Sequence, residues 1–484
     1  MFRLELSQIP KTLRVVIGVI VSYLALLDSG FGSMPTFDRP PNFVVIVADD
    51  LGYGDLSVYG HPVIRTPNLD RMASEGVRLT HFYAAASTCT PSRVALMTGR
   101  YPIRSGLTRV LHPREKFGIP DHEITLAEAL KERGYSTACI GKWHLGDLSI
   151  YSPNRHGFDL FFGLLYSNDM TIMPPNFSRL RLYRNQTPIE SPVVQRTLTQ
   201  RYTAESIRFI EGNKDRPFFL YLPHTMPHTP LSASREFRGK SRAGLYGDAV
   251  EEIDWSTGQI LNRLRELGLD EQTLVIFTSD NGPAQSLGPR FSQGGSPGRL
   301  RGGKHTVWEG GLRVPCIMRW PGHLPAGIVE EGIATVMDFF PSLIETAGGT
   351  VQSDRPLDGY NILPMLKGQQ ASPYAAFYYF KGATLFAVRS GPWKLHLTQR
   401  NSEARQVSRP GTKSSARLYN LEQDPSERND VAGNHPDIVA RLTTQAAAFR
   451  STVRPGRLIP PWNWLTSAFD FKTHIAPSSD ANKP

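Results

Sequence analysis

Residues 43–48 read FVVIVA and run directly into Asp49-Asp50. The run is continuously apolar and mostly β-branched, with no alternation. That texture describes a strand buried on both faces, as in a parallel sheet covered by helices. A second run, TLVIFTS at 273–279, has the same character and also stops at a polar pair, Asp280-Asn281. Open parallel sheets bind ligands beyond the carboxyl ends of their strands. Two buried strands therefore carry three carboxylates and an amide to the place where such a fold builds its site. Further strands are expected at 136–140 and 218–222, and helical windows at 68–76, 125–133 and 246–267 complete an α/β alternation. Pro67 near one helix start and Gly76 and Gly134 at two helix ends are the expected punctuation. Past about residue 365 the texture changes to short strand-like pieces at 375–380, 385–389 and 393–396, which read as a small antiparallel sheet. The expected organisation is a leader at 1–32, a large α/β domain at 33–365, and a smaller C-terminal domain with a Pro-rich tail at 366–484.

Composition narrows the class. The chain has 484 residues, 40% of them hydrophobic and 10% aromatic, which excludes a disordered protein. Three cysteines, Cys89, Cys139 and Cys316, exclude a disulfide scaffold and a cysteine-based zinc finger. The formal charge of +10 is ordinary for solubility and mildly favours anionic substrates. Arg3, Lys11 and Arg14 precede or border a 13-residue apolar run, VVIGVIVSYLALL at 15–27, followed by Gly30 and Gly32. This reads as an export signal and is too short for a membrane span of about 20 residues. The expected location is periplasmic or extracellular.

The residues with chemistry cluster in short motifs. In CTPSR at 89–93, Pro91 suits the first turn of a helix. Cys89 then stands at the helix N-terminus, in a field that favours anions, and Arg93 follows near the same face. A lone cysteine is ordinarily a small core residue, but its companions weigh against that. Asp49, Asp50, Asp280 and Asn281 offer only oxygen atoms, which suits Ca²⁺ or Mg²⁺ rather than zinc. In GKWHLG at 141–146, Lys142 and His144 are two apart and would share a face of an extended chain. His228 is held between prolines in PHTP. Lys304 closes a Gly-rich stretch at 294–303. There, Gly298-x4-Gly303-Lys304 imitates a nucleotide phosphate loop, but His305 replaces Ser or Thr and no strand leads in.

From Asn42 to about Pro425 the motifs appear in order: PNFVVIVADDLGYGDL, TPNLDRMASEG, CTPSRVALMTGRYPIRSG, GKWHLG, LLYSND, PFFLYLPHTMPHTP, TLVIFTSDNGP, RGGKHTVWEGGLRVP and LYNLEQDP. Together they resemble the formylglycine-dependent sulfatases, the arylsulfatases among them. The resemblance implies an alkaline-phosphatase-like α/β fold, a large mixed and mostly parallel sheet flanked by helices, with a smaller C-terminal domain. It implies hydrolysis of an aryl or carbohydrate sulfate ester. Cys89 matches the cysteine that a formylglycine-generating enzyme or equivalent maturase oxidises to Cα-formylglycine. Asp49, Asp50, Asp280 and Asn281, with the modified Cys89, match the ligands of one Ca²⁺, with Mg²⁺ as the alternative ion. Arg93, Lys142, His144, His228 and Lys304 match catalytic positions, and Ser167 a substrate-binding one. His224 is expected to be a structural neighbour of His228. The resemblance implies a sulfated small molecule or glycan as substrate, with no nucleic acid and no stable membrane span. Met97 stands where the modification motif usually has Leu, a swap that cores tolerate. The many disulfide cysteines of lysosomal relatives are missing, which points to a disulfide-poor exported enzyme. Two other readings remain at this level. One is a phosphate or phosphonate ester hydrolase of the same superfamily, disfavoured by the single set of ligands. The other is a non-catalytic secreted binding protein, disfavoured by the full complement of charged residues. Specificity is expected in loops at 174–192 and 286–303.

Overall fold

The computed structural model describes residues 39–170, 180–284, 294–351, 355–397 and 415–460. The expected export signal, most of the basic stretch at 400–417, and parts of both expected specificity loops lie outside the described residues.

Sixteen strands are described: β1 (Asn42–Ala48), β2 (Val77–Leu79), β3 (Phe82–Tyr83), β4 (Ser136–Lys142), β5 (Leu160–Leu164), β6 (Leu182–Arg184), β7 (Thr187–Glu190), β8 (Phe218–Pro223), β9 (Thr273–Ser279), β10 (Cys316–Arg319), β11 (Ile328–Glu330), β12 (Ala334–Thr335), β13 (Phe377–Lys381), β14 (Thr384–Ser390), β15 (Trp393–His396) and β16 (Arg417–Asn420). Ten of them form one sheet in the order β11-β2-β10-β9-β1-β8-β4-β5-β6-β7. The central five, β9-β1-β8-β4-β5, are all parallel. Antiparallel pairings of β10 with β9 and of β6 with β5 flank this core. β1, β8 and β9 are buried along their whole length, as their unbroken apolar sequences require.

Register is what positions the site. Ala48 of β1 pairs with Ser279 of β9, and Val47 pairs with Pro223 of β8. The chain therefore leaves all three strands at one level. Asp49-Asp50, Asp280-Asn281 and the segment from His224 to His228 emerge side by side.

The helices follow local signals with instructive differences. Thr125 caps the Leu126–Lys131 helix through a reciprocal pair with Glu128. Pro67 opens its helix as expected, but that helix ends at Ser74, before Gly76. Gly76 serves a different need: a Cβ there would meet the Met318 carbonyl oxygen at 2.3 Å. Its role is to let the chain approach β10 closely. The long window read at 246–267 is the Gly244–Glu266 helix, which packs against the Leu198–Gly212 helix.

The C-terminal region carries a four-stranded antiparallel sheet, β13-β14-β15-β16. It also carries a helix absent from the sequence reading, Pro436–Thr452. That helix buries only Leu442 and Ala446 fully, so it has no apolar stripe to betray it. Phe449 fastens it by stacking on Tyr378 of β13, with centroids 3.7 Å apart. Among the described residues no helix is long and apolar enough to cross a membrane. Cys89, Cys139 and Cys316 are all buried free thiols.

Candidate active site

The Cys89–Thr98 helix is buried at every residue. Cys89 is its first residue, and Pro91 lies in its first turn, where a missing N–H costs no intrahelical bond. Gly99 ends the helix in the left-handed region (φ 69°), and a Cβ there would press on Phe340 at 2.8 Å. Cys89 Sγ lies 3.6 Å from Asp49 Oδ1. One turn on, Arg93 grips Asp280 Oδ2 through Nε at 3.0 Å and Nη2 at 2.8 Å. Its Nη1 donates to the Lys142 carbonyl at 2.7 Å, joining the helix to the end of β4.

Two other cations face the remaining carboxylates. Lys142 Nζ is 2.5 Å from Asp49 Oδ2 and 3.2 Å from Ser167 Oγ. Lys304 Nζ is 2.7 Å from Asp50 Oδ2 and donates to His228 Nε2 at 3.0 Å. His228 Nδ1 lies 2.6 Å from the Thr229 carbonyl, which can only accept, so Nδ1 carries the proton and Nε2 is the acceptor.

His144 was expected to share an extended-chain face with Lys142. Instead β4 stops at Lys142 and His144 takes a left-handed turn (φ 62°). Asp50 does the same (φ 65°). Such conformations are uncommon outside glycine and gather at functional sites. Thr90 Oγ1 donates to the His144 carbonyl at 2.9 Å and accepts from Leu111 N at 3.2 Å. The His144 ring meets the Leu111 carbonyl through Nε2 at 3.0 Å, so Nε2 carries the proton. Nδ1 is a buried lone pair with no hydrogen-bond partner among the described residues.

Burial and charge set the protonation states. Burial alone would raise Asp49, but Lys142 first, and Arg93 with it, hold it well below the carboxylate range. Burial alone would lower Lys142 and Lys304; Asp49 and Asp50 respectively keep both ammonium groups charged. Burial, then the charge of Lys142, pushes His144 well below its ordinary value, so it is a neutral base. Burial pushes the Cys89 thiol well up, against the pull of Lys142 and Lys304. An unmodified Cys89 is therefore a protonated, unreactive thiol.

The donor set fits a hard divalent cation. Ligand atoms of Asp49, Asp50, Cys89 and His228 all lie within 4.8 Å of one another. Asp280 Oδ1 accepts from Asp50 N at 3.1 Å, and Asn281 Nδ2 donates to Asp50 Oδ1 at 2.7 Å. Asn281 Oδ1 is buried without a partner among the described residues. Burial, then the charge of Asp49, raises Asp280. An unsatisfied amide oxygen and a carboxylate under negative pressure are the conditions that a bound Ca²⁺ or Mg²⁺ relieves.

Every candidate residue from the sequence thus falls at the carboxyl ends of the central strands or on segments packed over them. His224 is fully buried, and its Nε2 lies 3.4 Å from Ser256 Oγ. Sequence reasoning missed Thr90 and Ser279. Ser279 Oγ accepts from Leu51 N at 3.0 Å and donates to the Asn281 carbonyl at 2.9 Å, so it fastens both acidic turns together. Nothing in a Ser ending an apolar strand signals that task.

A profile of the sulfatase family matches residues 41–349, and one for the C-terminal region of aryl-sulfatase matches residues 372–463. N-acetylgalactosamine-6-sulfatase of the dog, Canis lupus familiaris, is 40% identical over 474 residues, covering 90% of each chain. Arylsulfatase A of Homo sapiens is 38% identical over 443 residues, covering 84% of this chain and 86% of that one. Among solved structures, Ps i-CgsB in complex with k-i-k-neocarrahexaose superposes with a TM-score of 0.76 at 28% identity, covering 90% of this chain and 98% of the other.

Proposed function

The chain belongs to the sulfatase family and is a sulfuric ester hydrolase, and on that premise we propose how it works and on what. In this reading Cys89 acts as Cα-formylglycine, and Asp49, Asp50, Asp280 and Asn281 hold one divalent cation, Ca²⁺ or Mg²⁺. The substrate is a sulfated glycan. The observation that carries it is the burial of Cys89 at a helix N-terminus, within a ring of three carboxylates and three cations, where a plain thiol stays protonated.

A cation held by Asp49, Asp50, Asp280 and Asn281 would withdraw charge from sulfuryl oxygen, and a formylglycine at position 89 would supply two hydroxyls on one carbon, splitting one hard displacement into two easier steps. The chain's own groups do the rest. Lys142, Ser167 and the Cys89 end of the helix, all buried away from water, would bind the sulfuryl oxygens through donors already held in place. Arg93 holds Asp280 in place and adds positive charge. Lys304 and His228, already sharing a hydrogen bond, deliver the proton to the leaving oxygen. His144 Nδ1 is a neutral acceptor, held in one tautomer by the Leu111 carbonyl, and it removes the proton that frees sulfate. The glycan assignment is supported by a relative named N-acetylgalactosamine-6-sulfatase and by a structural neighbour solved in complex with k-i-k-neocarrahexaose. Export through residues 1–32 belongs to the same reading.

The test combines peptide mass and rate. The peptide bearing residue 89 should be lighter than its cysteine form by one sulfur-for-oxygen exchange and two hydrogens. The same preparation should turn over aryl sulfate far faster than aryl phosphate. Full activity with an unaltered Cys89 would overturn the proposal.

A further inference from the structure

Two clefts open beside the candidate site. One lies between the start of the Cys89–Thr98 helix and the β13–β14 hairpin, with Phe380 and Phe386 in its lining. The other, of about 480 Å³, falls within the range of about 300–1,000 Å³ usual for ligand pockets. Two chain segments line this second cleft, one carrying Arg196 and the other carrying Pro230 and Arg238. Both segments are tied to the catalytic residues. Pro230 follows His228 by two residues, a reach of about 7 Å at most. The Pro230 carbonyl accepts from Asn168 Nδ2 at 3.3 Å, and the same Nδ2 donates to Gln195 Oε1 at 3.0 Å. Asn168 follows Ser167, whose Oγ lies 3.2 Å from Lys142 Nζ. One buried amide thus joins both segments to the sulfuryl-binding groups.

The backbone that carries the two arginines is fixed. Asp248, on the Gly244–Glu266 helix, accepts from Gly239 N, Lys240 N and Ser241 N at 2.7, 3.0 and 2.8 Å. Glu252 of the same helix accepts from Ser234 N at 2.9 Å, and Arg238 N donates to the Ser234 carbonyl at 2.8 Å. Val194 N donates to Glu190 Oε1 at 3.0 Å. These carboxylates are occupied by main-chain donors. The two guanidinium groups are exposed, and neither has an ion pair or hydrogen bond among the described residues. No carboxylate lines the cleft among the described residues. Glu236, two residues before Arg238, accepts from Gln200 Nε2 at 2.9 Å. Val194, Leu231 and Leu245 make part of the lining apolar. Apolar surface suits the C–H face of a sugar ring, and a planar guanidinium fork matches the paired oxygens of a carboxylate or sulfate on that ring.

We propose that this cleft is a second anion subsite, in which Arg196 and Arg238 hold a carboxylate or sulfate on a sugar neighbouring the one being desulfated. The proposal rests on the glycan sulfatase reading and adds to it a class of substrate: a polyanionic oligosaccharide with charge on more than one sugar. A small aryl sulfate would leave the cleft empty.

Calorimetry on the Cys89→Ala protein tests the subsite apart from catalysis. A tetrasaccharide of alternating N-acetylgalactosamine 6-sulfate and uronate would be compared with its carboxyl-reduced form at low salt, where exposed charges are least screened. The uronate form should bind roughly tenfold tighter, the scale of one hydrogen bond to a charged group. Combining Arg196→Gln with Arg238→Gln should erase the difference. Arg242→Gln removes a cation of the same loop from outside the lining and should preserve it. A third ligand, with a sulfated neutral hexose in place of the uronate, separates the two anions: tight binding assigns the cleft to either, weak binding to carboxylate alone. The subsite is overturned by equal affinity for charged and reduced forms, by no binding of either, by a difference that survives the double substitution, or by one that Arg242→Gln erases equally. In mature enzyme the double substitution should leave 4-nitrophenyl sulfate turnover unchanged. Failure of the unsubstituted mature enzyme on that ester would count against the function, whereas the binding comparison judges the subsite by itself.

Discussion

At His144 three neighbours decide one proton. The Leu111 carbonyl takes the Nε2 hydrogen, Thr90 pins the backbone on both sides, and burial beside Lys142 keeps the ring neutral. What remains is a lone pair at Nδ1 with nothing in the described structure to accept from. A base used only in the second half of the reaction has a kinetic signature. His144→Ala should lower steady-state turnover of an aryl sulfate by about 10²–10⁴, while stopped flow still records a rapid first release of phenol. An equal loss of that first release would remove His144 from the later step. At this scale the sequence was legible where chemistry is rare, in Cys89, the Asp pairs, Lys142 and His228. It was illegible where Thr90 and Ser279 act through hydroxyl bonds, because Ser and Thr are common and their partners are distant in the chain.

Helix ends show how an element borrows from its neighbours. The Pro67–Ser74 helix begins at Thr66, whose side chain makes no cap. Its free N–H groups go instead to Asp254 on the Gly244–Glu266 helix: Leu69 N at 2.8 Å and Asn68 N at 3.3 Å, with Asn68 Nδ2 at 2.8 Å. Gly258, one turn further on, lets Asn68 sit there, since a Cβ would meet its Oδ1 at 2.4 Å. Asp254→Ala should cost about 1–2 kcal/mol, the scale of a lost N-cap, read as a lower urea midpoint at unchanged slope. No loss would mean that water caps the helix equally well. Strand texture made β1 and β9 readable to within a residue, because burial on both faces writes itself into consecutive residues. The Pro436–Thr452 helix was unreadable because only Leu442 and Ala446 are fully buried along it, while Phe449 anchors it through rings on Tyr101, Tyr378 and Phe380 that are distant in the chain.

Across the whole molecule, a buried ionic cluster links the loop after Lys304 to the C-terminal sheet. Lys394 of β15 lies 3.0 Å from Glu309 and 3.0 Å from Glu427. Tyr83 and Tyr379 each donate to Glu309 at 2.7 Å, and His396 meets Glu427 at 2.8 Å. Glu427 also accepts from Glu309 N at 2.7 Å. Lys394→Met would leave two buried carboxylates facing each other. It should cost about 3–5 kcal/mol in denaturant unfolding, and a cost under 1 kcal/mol would mean that the cluster does not bind the two regions. Elsewhere burial raises the Asp338 carboxyl to about 7, against hydrogen bonds from Tyr374, Tyr360 and Thr335. Its folded value exceeds its unfolded one, so its contribution is complete below about pH 4 and is lost as pH rises through about 7. The stability difference between the natural protein and Asp338→Asn should therefore shrink between those pH values in parallel urea titrations. A difference that grows would reverse the assignment.

By itself the sequence determined the parallel core, the reactive residue types and their order along the chain, because burial and helix or strand period are local properties. Only the tertiary structure decided which charge meets which. Asp50 and Lys304 stand 254 residues apart in the chain and 2.7 Å apart in space. It alone brought a C-terminal hairpin to the edge of the site. Strand register and packing make those choices, and neither is written in any short stretch of residues.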